Sequence, residues 1–208
     1  MNIKDFNNPF DAIKKFEKEF AEYTGAPYAV TTDCCTHALE LAFRVDDPKT
    51  TSFPARTYLS VPMLMHKLDI EYTLVDQEWK GSYCFENTRI WDCARHLEEN
   101  MYVPGQIQCL SFGRTKPLEI GVGGIILTDD YKLYKKFSRM RYDGRDIFEF
   151  SPWADQEIFE VGYHYYMRPE EAVIGLSKLQ ARNFTQQLDK YYNYPDCRTI
   201  TINKSTSK

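Results

Sequence analysis

The chain has 208 residues, 43% of them hydrophobic and 27% charged, and a formal net charge of −4. That balance belongs to a globular protein with one sizeable core, built as one domain or a domain plus an appendage. The acidic charge, with no run of Lys and Arg, excludes a general electrostatic footprint for nucleic acid, and no apolar stretch reaches the length needed to span a bilayer.

The amino terminus, Met1-Asn2-Ile3-Lys4-Asp5-Phe6, lacks an apolar signal core, so a cytoplasmic location is expected. Asn8-Pro9 reads as an N-cap with proline at the first helical position. Phe10, Ile13, Phe16, Glu17 and Phe20 then set an aromatic stripe at helical spacing until Gly25, which predicts a helix over residues 9–24. Apolar, β-rich runs follow at Tyr28 to Thr32, Thr51 to Phe53, Ile70 to Val75, Arg89 to Trp91, Ile107 to Phe112 and Gly124 to Thr128, several separated by helical patterns. The alternation predicts an α/β fold. The runs around Val30, Ile90 and Leu110 read as buried on both faces, which predicts a mainly parallel sheet flanked by helices. Ligands of such sheets collect beyond the carboxyl ends of the strands.

Asp129 and Asp130 cap a predicted helix carrying Tyr131, Leu133, Tyr134, Phe137 and Met140. Pro169 with Glu170 and Glu171 opens another, running through Ala172, Leu176, Leu179 and Leu188. Between them Tyr142 to Tyr166 forms a long aromatic and polar connection that includes Trp153, Tyr163, His164 and Tyr165, of the kind that binds ligands or neighbouring subunits. One domain is expected over 1–192, with a tail over 193–208 that is at most partly ordered. The six cysteines, at 34, 35, 84, 93, 109 and 197, have no paired metal spacing and read as reduced and mostly structural. A metal site gathering Cys34, Cys35 and His37 with Cys93 and His96 is the alternative, without the repeated ligand spacing of a zinc fold.

The most informative segment is Ser111-Phe112-Gly113-Arg114-Thr115-Lys116, followed after a short loop by Gly123-Gly124 and an apolar run. It sets a candidate amine nucleophile and an anion-binding hydroxyl just past a predicted strand, where low dielectric favours the neutral amine. Its bland alternative is a surface lysine in a turn before Pro117. Three other segments also follow predicted strands. Thr32 to Leu39 hands a strand to a helix whose first amides, with the Thr36 hydroxyl, suit a phosphate. Asp92 ends an apolar strand, where a carboxylate holds a pyridinium N–H or, equally, caps a helix or pairs with Arg95. Tyr58, after the strand at Phe53, is a ring for stacking or a core tyrosine.

In this order, phosphate loop, aromatic ring, strand-end Asp, then Ser and Lys, the segments resemble the DegT-type sugar aminotransferases, pyridoxal 5′-phosphate (PLP) enzymes of fold type I. The resemblance extends from Phe16 to Leu179, through the first helix and the Gly162-Tyr163-His164-Tyr165-Tyr166-Met167 segment. It implies that Lys116 forms the internal aldimine and shuttles a proton between the α-carbon and C4′ of the cofactor. Asp92 would bind the pyridine nitrogen and Tyr58 would stack on the ring. Thr36, Ser111 and the backbone near Cys35 would hold the phosphate. Arg95 stands where the family usually has glutamine or histidine near the phenolic oxygen, and His164 where an asparagine commonly reaches the neighbouring subunit's phosphate. The implied reaction takes an amino group from an amino-acid donor such as glutamate to a keto group on a nucleotide-linked sugar, in a homodimer with a shared active site.

The chain also departs from the family. Too few residues lie between Asp76 and Asp92 for a strand, crossover helix and return, so one β-α unit is expected to be missing. The family's smaller closing domain is expected to be missing after Tyr192. Cys35 replaces a glycine of the phosphate loop, crowding the turn if positive φ is required there, and Val122 replaces an acidic residue before the glycine pair. These departures leave a second reading open: a catalytically reduced PLP-binding or scaffold protein acting through a partner subunit.

Overall fold

A computed structural model describes residues 1–149, 151–156, 160–182 and 190–201. Helix α1 (Phe10–Thr24) begins where Asn8 Oδ1 accepts the Phe10 amide at 3.0 Å and ends at Gly25 with φ 75°, one residue inside the predicted start. Ile13, Phe16, Glu17 and Phe20 of its stripe are buried and Phe10 is partly buried, and Phe16 and Phe20 pack their rings 5.4 and 5.3 Å from that of Phe112.

Strand β1 (Tyr28–Thr32) leads to α2 (Cys35–Asp46), β2 (Thr50–Pro54), α3 (Ser60–Lys67) and β3 (Glu71–Val75). Then follow β4 (Tyr83–Cys84), β5 (Ile90–Asp92), β6 (Ile107–Ser111), β7 (Gly124–Thr128), α4 (Tyr131–Met140) and α5 (Pro169–Gln180). Six strands match the predicted runs to within a residue or two; β4 has only two residues, too few to show any period. Of the two predicted cap residues, Asp130 caps α4 by accepting the Lys132 and Leu133 amides, while Asp129 accepts the Gly105 amide. Helix α5 stops at Gln180, short of the predicted run to Leu188, which lies outside the described residues.

The strands form a five-stranded sheet in the order β1-β7-β6-β5-β4 and a two-stranded sheet β2-β3. Glu86 joins them, its amide donating to Ser52 O at 3.0 Å and its carbonyl accepting the Thr51 hydroxyl at 2.9 Å. The α/β layering is as expected, but strand direction is mixed rather than mainly parallel. Pairs β5–β6 and β2–β3 are parallel, whereas β1–β7, β6–β7 and β4–β5 are antiparallel. Burial on both faces reports the helical layers and not direction: all of β7 is buried although it runs against both neighbours. No helix lies between Val75 and Ile90; the short β4 hairpin occupies that stretch, in keeping with the missing β-α unit.

One buried ion pair ties three elements together. Arg141, at the end of α4 and fully buried, donates to Glu17 of α1 and to Thr31 O and Oγ1 of β1 at 2.9 Å each. Residues 193–201, in the stretch read as a tail, return to the body: the Cys197 amide donates to Ala55 O at 2.8 Å, and Arg198 pairs with Asp76. No helix among the described residues is long and apolar enough to cross a membrane.

Candidate active site

Because β1 and β6 both run against β7, they point the same way as β5, and all three end at one edge of the sheet. Thr32, Gly124 and Ser111 form a single cross-strand row at that edge. Helix α2 starts directly above it. A Cβ on Gly124 would lie 2.6 Å from both Cys34 C and Cys35 N, so the glycine is what admits the helix terminus to the edge.

The α2 amides of Cys35 and Thr36 precede the first bond of the helical ladder, Ala38 N–H to Cys34 O at 3.1 Å, and so face outward at the positive end of the helix. Thr36 Oγ1 lies 2.8 Å from Ser60 Oγ, the first residue of α3. Cys35, the expected source of crowding, is the first helical residue and is not among the left-handed non-glycine positions, so the missing glycine leaves no backbone strain. Burial pushes its thiol pKa well up, which keeps the group neutral at the start of α2. Val122 is exposed.

Lys116 follows β6 in a turn closed by its own amide donating to Gly113 O at 3.2 Å, and the side chain is half-buried. Thr115 before it adopts φ 66°, a left-handed conformation costing a β-branched residue about 1–2 kcal/mol. Arg95 donates to the Thr115 carbonyl, and its Nε donates to Tyr194 Oη at 3.0 Å. Asp92, 8% exposed, accepts the Ala94 amide on Oδ1 at 2.9 Å and the Tyr83 hydroxyl on Oδ2 at 3.0 Å. Burial raises its pKa, and the Ala94 amide, Lys116 and Tyr83 act in the opposite direction.

These groups line one cavity of about 470 Å³, within the usual range of small-molecule sites. Cys35, Thr36, Tyr58, Asp92, Arg95, Ser111 and Lys116 all border it, Tyr58 at its exposed mouth. His164 stands apart. It is exposed, pairs with Asp143 through Nδ1 at 3.2 Å, and does not line the cavity. The alternative metal grouping does not assemble as drawn: Cys34 and His37 meet Asp33 rather than Cys93 and His96, with ligand atoms within 4.8 Å of one another. His37 Nδ1 is engaged by Asp33 Oδ1 at 2.6 Å, its ring stacks on Tyr165 at 3.6 Å, and the Cys34 sulfur caps α2.

Sequence reasoning missed several wall residues, chiefly Thr57, Trp79, Tyr83 and Tyr194. Tyr83 sits in the stretch read as a deletion and Tyr194 in that read as a tail. The only signal was aromatic density in segments too short for periodicity.

The sequence profile of the DegT/DnrJ/EryC1/StrS aminotransferase family matches residues 2–89 and 98–193. The chain is 25% identical over 218 aligned positions to the Bacillus subtilis spore coat polysaccharide biosynthesis protein SpsC, covering 81% of this chain and 56% of that protein. Its fold is similar to that of AtS13 from Actinomadura melliaura, with TM-score 0.70, 19% identity, and coverage of 81% of this chain and 59% of that one. It also resembles the sugar aminotransferase CalS13 from Micromonospora echinospora, with TM-score 0.69, 17% identity, and coverage of 81% and 60%. The chain thus spans between 56% and 60% of the length of these proteins. Because that profile matches most of its length, the chain belongs to the DegT/DnrJ/EryC1/StrS aminotransferase family.

Proposed function

We propose that this chain performs PLP-dependent amino-group transfer, from an amino-acid donor to a keto group on a nucleotide-linked sugar. The observation that carries this reading is the meeting of Lys116, Asp92, Thr36, Ser111 and Tyr58 around one cavity. The residues fit PLP by their chemistry. Hydroxyls and outward helix amides form an anion site, a buried carboxylate supplies an acceptor, and an amine lies within electrostatic reach of that carboxylate. Asp92 Oδ1 and Oδ2 each accept one bond from the protein, which leaves lone pairs for a ring N–H.

When bound, PLP supplies a reactive carbonyl and a ring that withdraws electrons from the donor's α-carbon. Asp92 holds a proton at the ring nitrogen. Lys116 Nζ would be the amine that meets that carbonyl and the base that takes and returns the α-carbon proton. Thr36, Ser111 and the α2 amides, beside Cys35, would hold the phosphate, and Tyr58 at the mouth would supply an aromatic surface to the ring. Arg95, oriented by Tyr194 and the Thr115 carbonyl, would bring positive charge to the cofactor's phenolic oxygen.

The sugar substrate is supported by the relatives' names, a polysaccharide biosynthesis protein and a sugar aminotransferase. In this reading the protein works in the cytoplasm as a homodimer, with exposed His164 reaching a neighbouring site and exposed Trp153 and Val161 at the seam. Absorbance titration with PLP, on wild type and Lys116→Ala, tests the reading. A new visible band in wild type that is lost in the variant supports it. No band in either, with PLP in excess, overturns it and favours a scaffold acting through a partner.

A further inference from the structure

Tyr83 belongs to the β4 hairpin that fills the stretch where a β-α unit is missing, and the resemblance assigns it no role. In the β4–β5 pairing it lies directly opposite Asp92, so the two side chains share a face of the sheet. The ring is 3% exposed, packed 5.3 Å from Trp79 and 5.4 Å from Phe85. A phenylalanine would fill that space equally well. The hydroxyl instead bridges two polar groups at the cavity wall, lying 2.6 Å from Thr57 Oγ1 and donating to Asp92 Oδ2 at 3.0 Å. Since the Tyr83 proton goes to the carboxylate, Thr57 donates to Tyr83, and the chain of donors ends on Asp92.

We propose that Tyr83 is the positioning residue of Asp92: with Thr57 behind it, its hydroxyl fixes the carboxylate toward the cavity and keeps it ionised. The purpose of that ionised carboxylate rests on the PLP reading above. The groups that face Asp92 are Tyr83 from β4, Lys116 from the loop after β6, Cys109 from β6, Cys35 from α2 and neighbouring Cys93. Burial holds the three thiols and the phenol neutral at ordinary pH, so the side chains of the set that favour the ionised carboxylate are Lys116, through coulombic attraction, and Tyr83, through its hydrogen bond. Removing a donor to the ionised form raises a carboxyl pKa, and binding that needs the carboxylate then fails at higher pH on the acid side.

The test uses Tyr83→Phe and Thr57→Val in the full chain, labelled with ¹³C at aspartate carboxyl carbons and titrated without cofactor. PLP affinity is followed against pH in the same proteins, and in Asp92→Asn with and without Tyr83→Phe. In Tyr83→Phe the Asp92 titration moves up by about one pH unit, and PLP affinity falls by up to about tenfold at pH below that titration. Thr57→Val gives a smaller shift in the same direction, and it carries the test if Tyr83→Phe does not fold. In the Asp92→Asn background, Tyr83→Phe changes affinity by less than about twofold. An unshifted Asp92 titration, or an equal loss of affinity in both backgrounds, overturns the proposal and leaves Tyr83 as packing. A wild-type chain that binds no PLP overturns the cofactor reading, and the cofactor-free titration still decides for or against Tyr83.

Discussion

Gly124→Ala tests how the sheet edge and the helix terminus are coupled. The added methyl would lie 2.6 Å from Cys34 C and Cys35 N and 2.7 Å from Cys34 O, against about 3.5–4.0 Å for an ordinary contact. Roughly 1 Å of movement is therefore required. Strand β7 cannot supply it, because Gly124 is paired with Thr32 on one side and Ser111 on the other. The start of α2 must move, carrying Thr36 with it. Overpacking of this kind costs about 1–3 kcal/mol, or roughly 3–10 °C in Tm for a chain of this size. A displacement of about 1 Å at an anion site also weakens PLP binding by tenfold or more. Gly105→Ala is the control: its Cβ meets nothing within 4 Å, so the cost is the strain of φ +83° alone. Thermal unfolding and PLP titration of the two variants separate the effects. Both lose stability, and only Gly124→Ala loses affinity. Unchanged affinity and Tm in Gly124→Ala would refute the coupling.

Two further outcomes follow from buried or paired charges. Glu17→Ala leaves Arg141 fully buried without its carboxylate and lowers the free energy of unfolding by about 3–5 kcal/mol in urea titrations; a loss under about 1 kcal/mol would contradict that role. Burial alone would lower the His37 pKa, but hydrogen bonding to Asp33 and Cys34 outweighs it and raises the value to about 9. The stabilisation from His37 is therefore full below its unfolded value of about 6.5 and is lost as pH rises through about 9. The stability difference between wild type and His37→Gln shrinks across that window, and a difference that stays flat with pH would contradict the pairing.

Much of this arrangement was legible because strong local signals carried it. Asn8-Pro9 and Gly25 bracket α1, Asp130 starts α4, and apolar runs mark six strands. Asp92, Ser111 and Lys116 were legible because each follows such a run, and parallel strand ends share an edge. Strand direction was not, since Ile125, Ile126 and Leu127 read the same in either direction. Tyr83 was hidden because its two-residue strand is held by register with Asp92 and Trp91 rather than by its own sequence. Tyr194 was hidden because its place depends on long-range bonds, from Arg95 to its hydroxyl and from Arg56 to its carbonyl. The worry over Cys35 came from treating a loop position as a turn, whereas the helix starts there and asks nothing unusual of φ.

The most direct test of the central claim is borohydride reduction of the PLP-loaded chain, followed by peptide mass mapping. The account predicts a stable adduct on the peptide containing Lys116 and on no other lysine. An adduct confined to another lysine, or no adduct at saturating PLP, would contradict it.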